Sequence, residues 1–243
     1  MSLPRTSQSE VSLSLLSDDV TGIYESLRVY GGFFFALEEH LDRFFDSARS
    51  LGLKIPGTRE SLRKKIKKET AVSGQKDAFV RLTLVGNKLF IVVTARTHPP
   101  EIYKKGVTLK TSAVIRNPSH PGFPEAKSTA CLNQVLATLD PVPPGNYEII
   151  FLNREGYLTE ARIGNFFIVK RGEVFTPPAY GLLNGVTRRF VIEWARLGKI
   201  YCEEKPVTRH DLFTADEAFL TNTSWEILPI REVDGRQVGS TLP

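Results

Sequence analysis

The sequence predicts an α+β protein of two lobes, a smaller α+β lobe over residues 1–116 and a larger barrel-like lobe over residues 117–243. Three observations support this. In the first half, alternating apolar segments are interleaved with two amphipathic helical segments. In the second half hairpin signals recur, at Asn153-Arg154-Glu155-Gly156, Arg171-Gly172-Glu173 and Asp234-Gly235. Between them lie Pro118, Pro121, Gly122 and Pro124, a stretch that can neither continue a strand nor open a helix early. A chain of 243 residues is long enough to bury a sizeable core.

The elements follow in order. Residues 1–17 are Ser-rich and predict a loose end with one edge strand around 11–15. A strand is expected over 21–30, where Ile23, Glu25, Leu27 and Val29 alternate with Tyr24, Ser26 and Arg28. Gly31-Gly32 turns the chain into a returning strand over 33–37, followed by a helix carrying Leu37, Leu41, Phe44, Phe45, Ala48 and Leu51 and ended by Gly52. A second helix spans 58–71. A strand pair over 79–85 and 89–97 turns at Gly86-Asn87, Pro99-Pro100 breaks the pattern, and a strand over 107–116 closes the first half. Beyond the prolines, Lys127 opens a short helical run with Ala130, Leu132, Val135, Leu136 and Leu139 on one stripe. Strands over 147–152, 157–160, 164–170 and from Val174 then lead to a helix over 188–197. A strand over 200–207, a short helix over 211–215 and a strand over 217–222 complete the pattern.

Composition narrows the function classes. Hydrophobic residues at 41% and charged residues at 24% describe an ordinary globular protein. The net charge of +5 suits an anionic ligand without demanding nucleic acid. The basic run Arg63-Lys64-Lys65-Ile66-Lys67-Lys68 has no interleaved aromatic residues and reads as a solvated helix face. Cys131 and Cys202 form no disulfide framework or zinc motif, and no histidine pair has metal-ligand spacing. The polar N-terminus and the absence of a membrane-length apolar run point to a cytoplasmic protein.

The chemistry-bearing residues lie in an ordered series. Lys127 stands where a loop meets a helix between apolar elements, a setting that can desolvate an amine and free it for Schiff-base chemistry. Glu160 closes a strand. Val186 and Thr187 stand just before a helix, whose free amides make an anion site suited to a phosphate. His40 and Arg43 are one helical turn apart. Taken singly, each has a bland reading as a solvated lysine, a rim carboxylate, an ordinary helix cap or a polar helix face.

The series as a whole resembles the class IV aminotransferases, the fold type IV pyridoxal-phosphate enzymes. That family includes branched-chain aminotransferases, D-amino acid aminotransferases and aminodeoxychorismate lyases. The resemblance rests on Lys127-Ser128, Thr159-Glu160, Asn165-Phe166-Phe167, Thr176-Pro177-Pro178, Gly185-Val186-Thr187-Arg188, Asp216-Glu217-Ala218-Phe219 and Thr221-Asn222-Thr223-Ser224. Upstream, Tyr24-Glu25 and His40-Leu41-Asp42-Arg43 match as well. It implies that Lys127 holds pyridoxal 5'-phosphate and shuttles a proton, and that Glu160 faces the ring nitrogen. Arg43, Val186, Thr187, Asn222 and Thr223 would hold the phosphate, and Tyr24 would line the substrate side. The implied reaction moves an amino group between a small amino acid and a 2-oxo acid in a homodimer, with the apolar segment 31–37 as its own hint of an interface. The alternatives are lyase-type elimination on 4-amino-4-deoxychorismate and a non-catalytic binding protein with a degenerate site. Residues 82–97 lack the Arg-x-His of D-amino acid aminotransferases.

If Lys127 is the covalent anchor, borohydride should fix the cofactor to the wild-type chain and fail to do so in Lys127→Ala. Undiminished labelling of that variant would assign the anchor to another lysine.

Overall fold

The computed structural model of the protein describes residues 22–116, 125–129 and 145–239. The edge strand expected around 11–15, the proline stretch 118–124 and the helical stripe from Ala130 lie outside the described residues. The chain forms two compact units. The described part of the first comprises residues 22–94 with 126–129, and that of the second residues 95–116, 125 and 145–239.

In the first unit, β1 (Gly22–Tyr30), β2 (Phe33–Phe34), β3 (Ala78–Val85) and β4 (Lys88–Ala95) form a sheet in the order β2-β1-β3-β4. Helices α1 (Leu37–Ser50) and α2 (Arg59–Val72) pack their apolar stripes on one face, burying Leu41, Phe44, Leu62 and Ile66 against Ile23, Leu27, Val80 and Leu82. β2 is shorter than the expected strand because Ala36 adopts a left-handed φ of 50°, so the helix begins at Leu37. Thr58 and Ser61 form a reciprocal cap on α2.

The second unit opens with a short helix, α3 (Pro100–Lys105), at the Pro99-Pro100 step that the sequence reads only as a break. The strands are β5 (Val107–Ile115), β6 (Glu148–Leu152), β7 (Leu158–Ala161), β8 (Asn165–Lys170) and β9 (Glu173–Thr176). Helix α4 (Val186–Leu197) leads to β10 (Cys202–Glu204), α5 (Arg209–Phe213), β11 (Glu217–Asn222), β12 (Glu226–Val233) and β13 (Arg236–Gln237). The sheet path runs β10-β9-β8-β11-β12-β5-β6-β7, and β7 pairs back onto β8. The six strands from β8 to β7 therefore close into the expected barrel, filled by Leu109, Ile150, Phe166, Ile168, Leu220 and Leu228. Closure is carried by one cross-strand pair, Glu160 with Asn165.

Two segments fall on opposite sides of the boundary expected after residue 116. β5 belongs to the barrel, paired in parallel with β6 and β12, with its first three residues, Val107, Thr108 and Leu109, buried. Residues 126–129 belong to the first unit, where Ser128 bridges to Ile23. No helix among the described residues is long and apolar enough to cross a membrane.

Candidate active site

In the first unit the site is built on β1. Its alternation places Glu25 on the helix side of the sheet with Ile23, Leu27 and Val29, and the carboxylate is fully buried. A buried charge needs partners, and α1 supplies them from one stripe: His40, Arg43 and Ser47 are all buried. Arg43 grips Glu25 with two parallel bonds, Nε to Oε2 at 2.8 Å and an Nη to Oε1 at 2.7 Å. His40 Nδ1 lies 3.0 Å from Oε1, which also accepts the Ser26 amide. Ser47 Oγ accepts the Lys127 amide at 3.0 Å, and the Lys127 carbonyl accepts the Tyr24 amide at 2.9 Å. Thus the peptide of Lys127 is held on both sides. Its ammonium lies 4.6 Å from the centre of the Tyr24 ring, and the Arg81 guanidinium lies 4.0 Å from the same ring.

In the second unit the barrel closure is itself the site. Cross-strand partners place Glu160, Asn165 and Thr221 in one row across β7, β8 and β11. All three are at most 5% exposed. Glu160 Oε2 accepts the Leu183 amide at 3.3 Å, while Asn165 Nδ2 donates to the Leu183 carbonyl at 2.8 Å. The loop into α4 is pinned by both ends of one peptide. At Gly185 any Cβ would meet Asn165 Oδ1 at 2.2 Å, so only glycine lets the loop lie this close. α4 starts at Val186, two residues earlier than expected, with no side-chain cap and no acidic residue in its first turn. The amides of Val186 and Thr187 therefore sit at a positive helix start.

Arg188 is turned inward and is 1% exposed, donating to the Pro177 carbonyl at 2.9 Å, to Asn184 Oδ1 at 3.2 Å and to Glu204 Oε2 at 2.6 Å. It ties the Thr-Pro-Pro segment and β10 to the helix start. Asn222 Oδ1 accepts the amides of Ser224 and Trp225, and its Nδ2 donates to the Ile163 carbonyl, so this side chain shapes the turn that presents Thr223. His98 Nε2 meets Ser224 Oγ at 3.0 Å in the same turn.

The residues fit pyridoxal phosphate. They include a lysine whose backbone is fixed beside an aromatic ring, a buried carboxylate, and an uncapped helix start over a cradle that a Cβ would fill. Sequence reasoning named Lys127, Glu160, Arg43, Tyr24, Val186, Thr187, Asn222 and Thr223. It noted His40 beside Arg43 and Asn165 within a motif without giving either a role, and it did not single out Ser47 or Arg116, although the spacing of residues 40, 43 and 47 on one helix stripe carried the signal for Ser47.

Known proteins agree with this chemistry. Residues 22–233 match the family described as amino-transferase class IV. A protein of Methanocaldococcus jannaschii assigned as a branched-chain-amino-acid aminotransferase is 38% identical over 232 residues, covering 90% of this chain and 81% of that protein. The D-alanine aminotransferase of Bacillus licheniformis is 29% identical over 233 residues, covering 91% and 82%. The crystal structure of a branched-chain aminotransferase from Thermoproteus uzoniensis with norvaline superposes with a TM-score of 0.83 at 32% identity, covering 90% of this chain and 80% of that one. The chain belongs to the class IV aminotransferase family, and its cofactor is pyridoxal phosphate.

The Glu25 cluster makes stability depend on acid. Burial alone would raise Glu25, but Arg43 and His40 outweigh it and hold the carboxyl far below the usual carboxylate range. Burial, only partly offset by Glu25, lowers His40 from its ordinary 6.5. In the unfolded chain His40 takes up a proton below 6.5 and Glu25 below 4.5, while the folded forms resist both. The melting temperature should therefore start to fall below pH 6.5 and fall more steeply below 4.5. His40→Gln should flatten the first decline only. A wild-type melting temperature constant from about pH 7 to 5 would show that His40 is not held neutral in the fold.

Proposed function

We propose that the protein transfers an amino group between a small apolar amino acid, of the branched-chain type, and a 2-oxo acid. The observation that carries this is the Tyr24 ring with the Lys127 ammonium and the Arg81 guanidinium each within 4.6 Å of its centre. An amine that can move a proton thus stands beside a fork that can hold a substrate carboxylate. The identities to branched-chain aminotransferases support the same substrate class.

In this reading Lys127 binds the cofactor and then moves the proton at the substrate Cα. Ser47 and the Tyr24 amide hold the peptide from which its side chain springs. Bound pyridoxal phosphate supplies an electron-poor ring that accepts the electron pair left at Cα. Glu160 holds the proton at the ring nitrogen. Val186, Thr187 and Thr223 offer amides and hydroxyls to the phosphate, Asn222 shapes the turn, and Arg43, locked by Glu25, offers its guanidinium. A cytoplasmic location goes with this reading, because free amino acids and 2-oxo acids are met there.

We also infer a homodimer, supported by Phe33, which is 73% exposed on the short strand β2. Sedimentation at micromolar concentration should give twice the mass of 27.2 kDa, and a monomer would refute the inference.

The reaction is tested by mixing the yellow enzyme with leucine, D-alanine and aminodeoxychorismate in turn and following the loss of cofactor absorbance. Leucine should react fastest, and release of a 4-aminobenzoate product from the third compound would reassign the enzyme as a lyase. Glu160→Gln keeps the shape but cannot stabilise the ring proton. It should bind cofactor and slow the half-reaction at least ~10²-fold. A wild-type rate would remove Glu160 from the site.

A further inference from the structure

Arg116 is a buried charged residue that the proposed mechanism leaves unused. It follows β5 directly, is 7% exposed, and its backbone amide donates to the Leu152 carbonyl at 2.7 Å. That bond fixes the residue at the end of the β5–β6 pair, and its guanidinium reaches across to β7. One of its terminal nitrogens lies 2.9 Å from Glu160 Oε1, with both side chains less than 9% exposed. The other oxygen, Oε2, accepts the Leu183 amide. The carboxylate of Glu160 is therefore met from two directions by two separate segments of the chain, by an ion pair with Arg116 at one oxygen and a hydrogen bond from Leu183 at the other.

A carboxylate this deeply buried is driven toward its neutral form by desolvation, and an adjacent guanidinium opposes that drive. The balance matters for any base that meets Glu160. Between a buried carboxylate and an aromatic nitrogen, a single proton has two resting places. Without a counter-charge, the dry surroundings favour the neutral arrangement, with the proton on the carboxyl and an uncharged ring. A cation against the carboxylate oxygen favours the separated charges, with the proton on the nitrogen. The guanidinium would also repel a charged ring, but it stands 2.9 Å from the carboxylate oxygen, and a charge at that contact distance attracts more strongly than one farther away repels.

We propose that Arg116 is a positioning residue that acts through Glu160, keeping its carboxylate ionised and oriented so that the ring nitrogen of the cofactor carries the proton. This rests on the reading of Glu160 as the partner of that nitrogen. Arg116 touches neither substrate nor reacting atoms in this role. It decides how strongly the ring can draw electrons, and a lysine in its place can restore the charge but not the fork.

Three single variants, Arg116→Met, Arg116→Lys and Glu160→Gln, and the Arg116→Met/Glu160→Gln double variant are compared, each first checked for wild-type melting behaviour. In the apoprotein, a carbon-13 titration of the Glu160 carboxyl should move upward by about one to three pH units in Arg116→Met and by much less in Arg116→Lys. With pyridoxal phosphate labelled at its ring nitrogen, the nitrogen resonance should sit at the protonated position in wild type. It should move toward the neutral position in Arg116→Met and in Glu160→Gln. Arg116→Met in the Glu160→Gln background should add no further movement, since its effect runs through that carboxylate. A Glu160 titration unchanged by Arg116→Met overturns the proposal, as does an unchanged ring nitrogen in Arg116→Met when Glu160→Gln moves it. A ring nitrogen unmoved by Glu160→Gln overturns instead the underlying assignment of Glu160. If Arg116→Met does not fold, the same titration and resonance in Arg116→Lys decide, because the lost fork should shift both partway.

Discussion

The second unit depends on closing a barrel through a single cross-strand pair between two polar residues. β7 meets β8 only at Glu160 and Asn165, and both side chains then reach the same Leu183 peptide. The usual apolar seam of a barrel is replaced here by a carboxylate, an amide and a clamped loop. Because Gly185 follows two residues later and lies against Asn165, the clamp also sets where α4 begins. One small network thus positions both the carboxylate proposed for the ring and the helix start proposed for the phosphate. Any change that loosens it should be felt at both places.

Burying acidic side chains in this way is costly, and the two units meet the cost in the same manner. Glu25 is fully buried and is gripped by Arg43 with His40 beside it. Glu160 is nearly as buried and is met by Arg116. Such pairs are seldom the most stable filling for a core. Their retention makes sense where a fixed charge in a fixed orientation is needed more than stability. Lys127 follows the same logic at the backbone level, since Ser47 and Tyr24 hold its peptide while its ammonium rests over an aromatic ring.

Much of the architecture could be read from local pattern. The alternation over residues 22–30, the hairpin glycines at 31, 32 and 235, and the apolar stripes of α1 and α2 are short-range signals, and the elements form within two residues of where they predict. The departures have local causes. Ala36 in the left-handed region ends β2 early, and Pro100 in a first helical turn opens α3 where the pattern only broke. α4 begins at Val186 because helix starts are set by the clamp beneath Gly185 as well as by apolar periodicity.

The order of Lys127, Glu160 and Gly185-Val186-Thr187-Arg188 along the chain was enough by itself to name the chemistry to look for, because that ordered set resembles the class IV aminotransferases. Tertiary structure alone decided which groups serve them. Arg116 and Glu160 are 44 positions apart, and Ser47 and Lys127 are 80 apart. No periodicity connects such pairs. Nor could sequence place β5 in the barrel or residues 126–129 on β1, since a strand's own pattern says it needs neighbours but not which ones. Partner choice in a sheet is a property of the closed hydrogen-bond ladder, and that ladder exists only once the chain has folded.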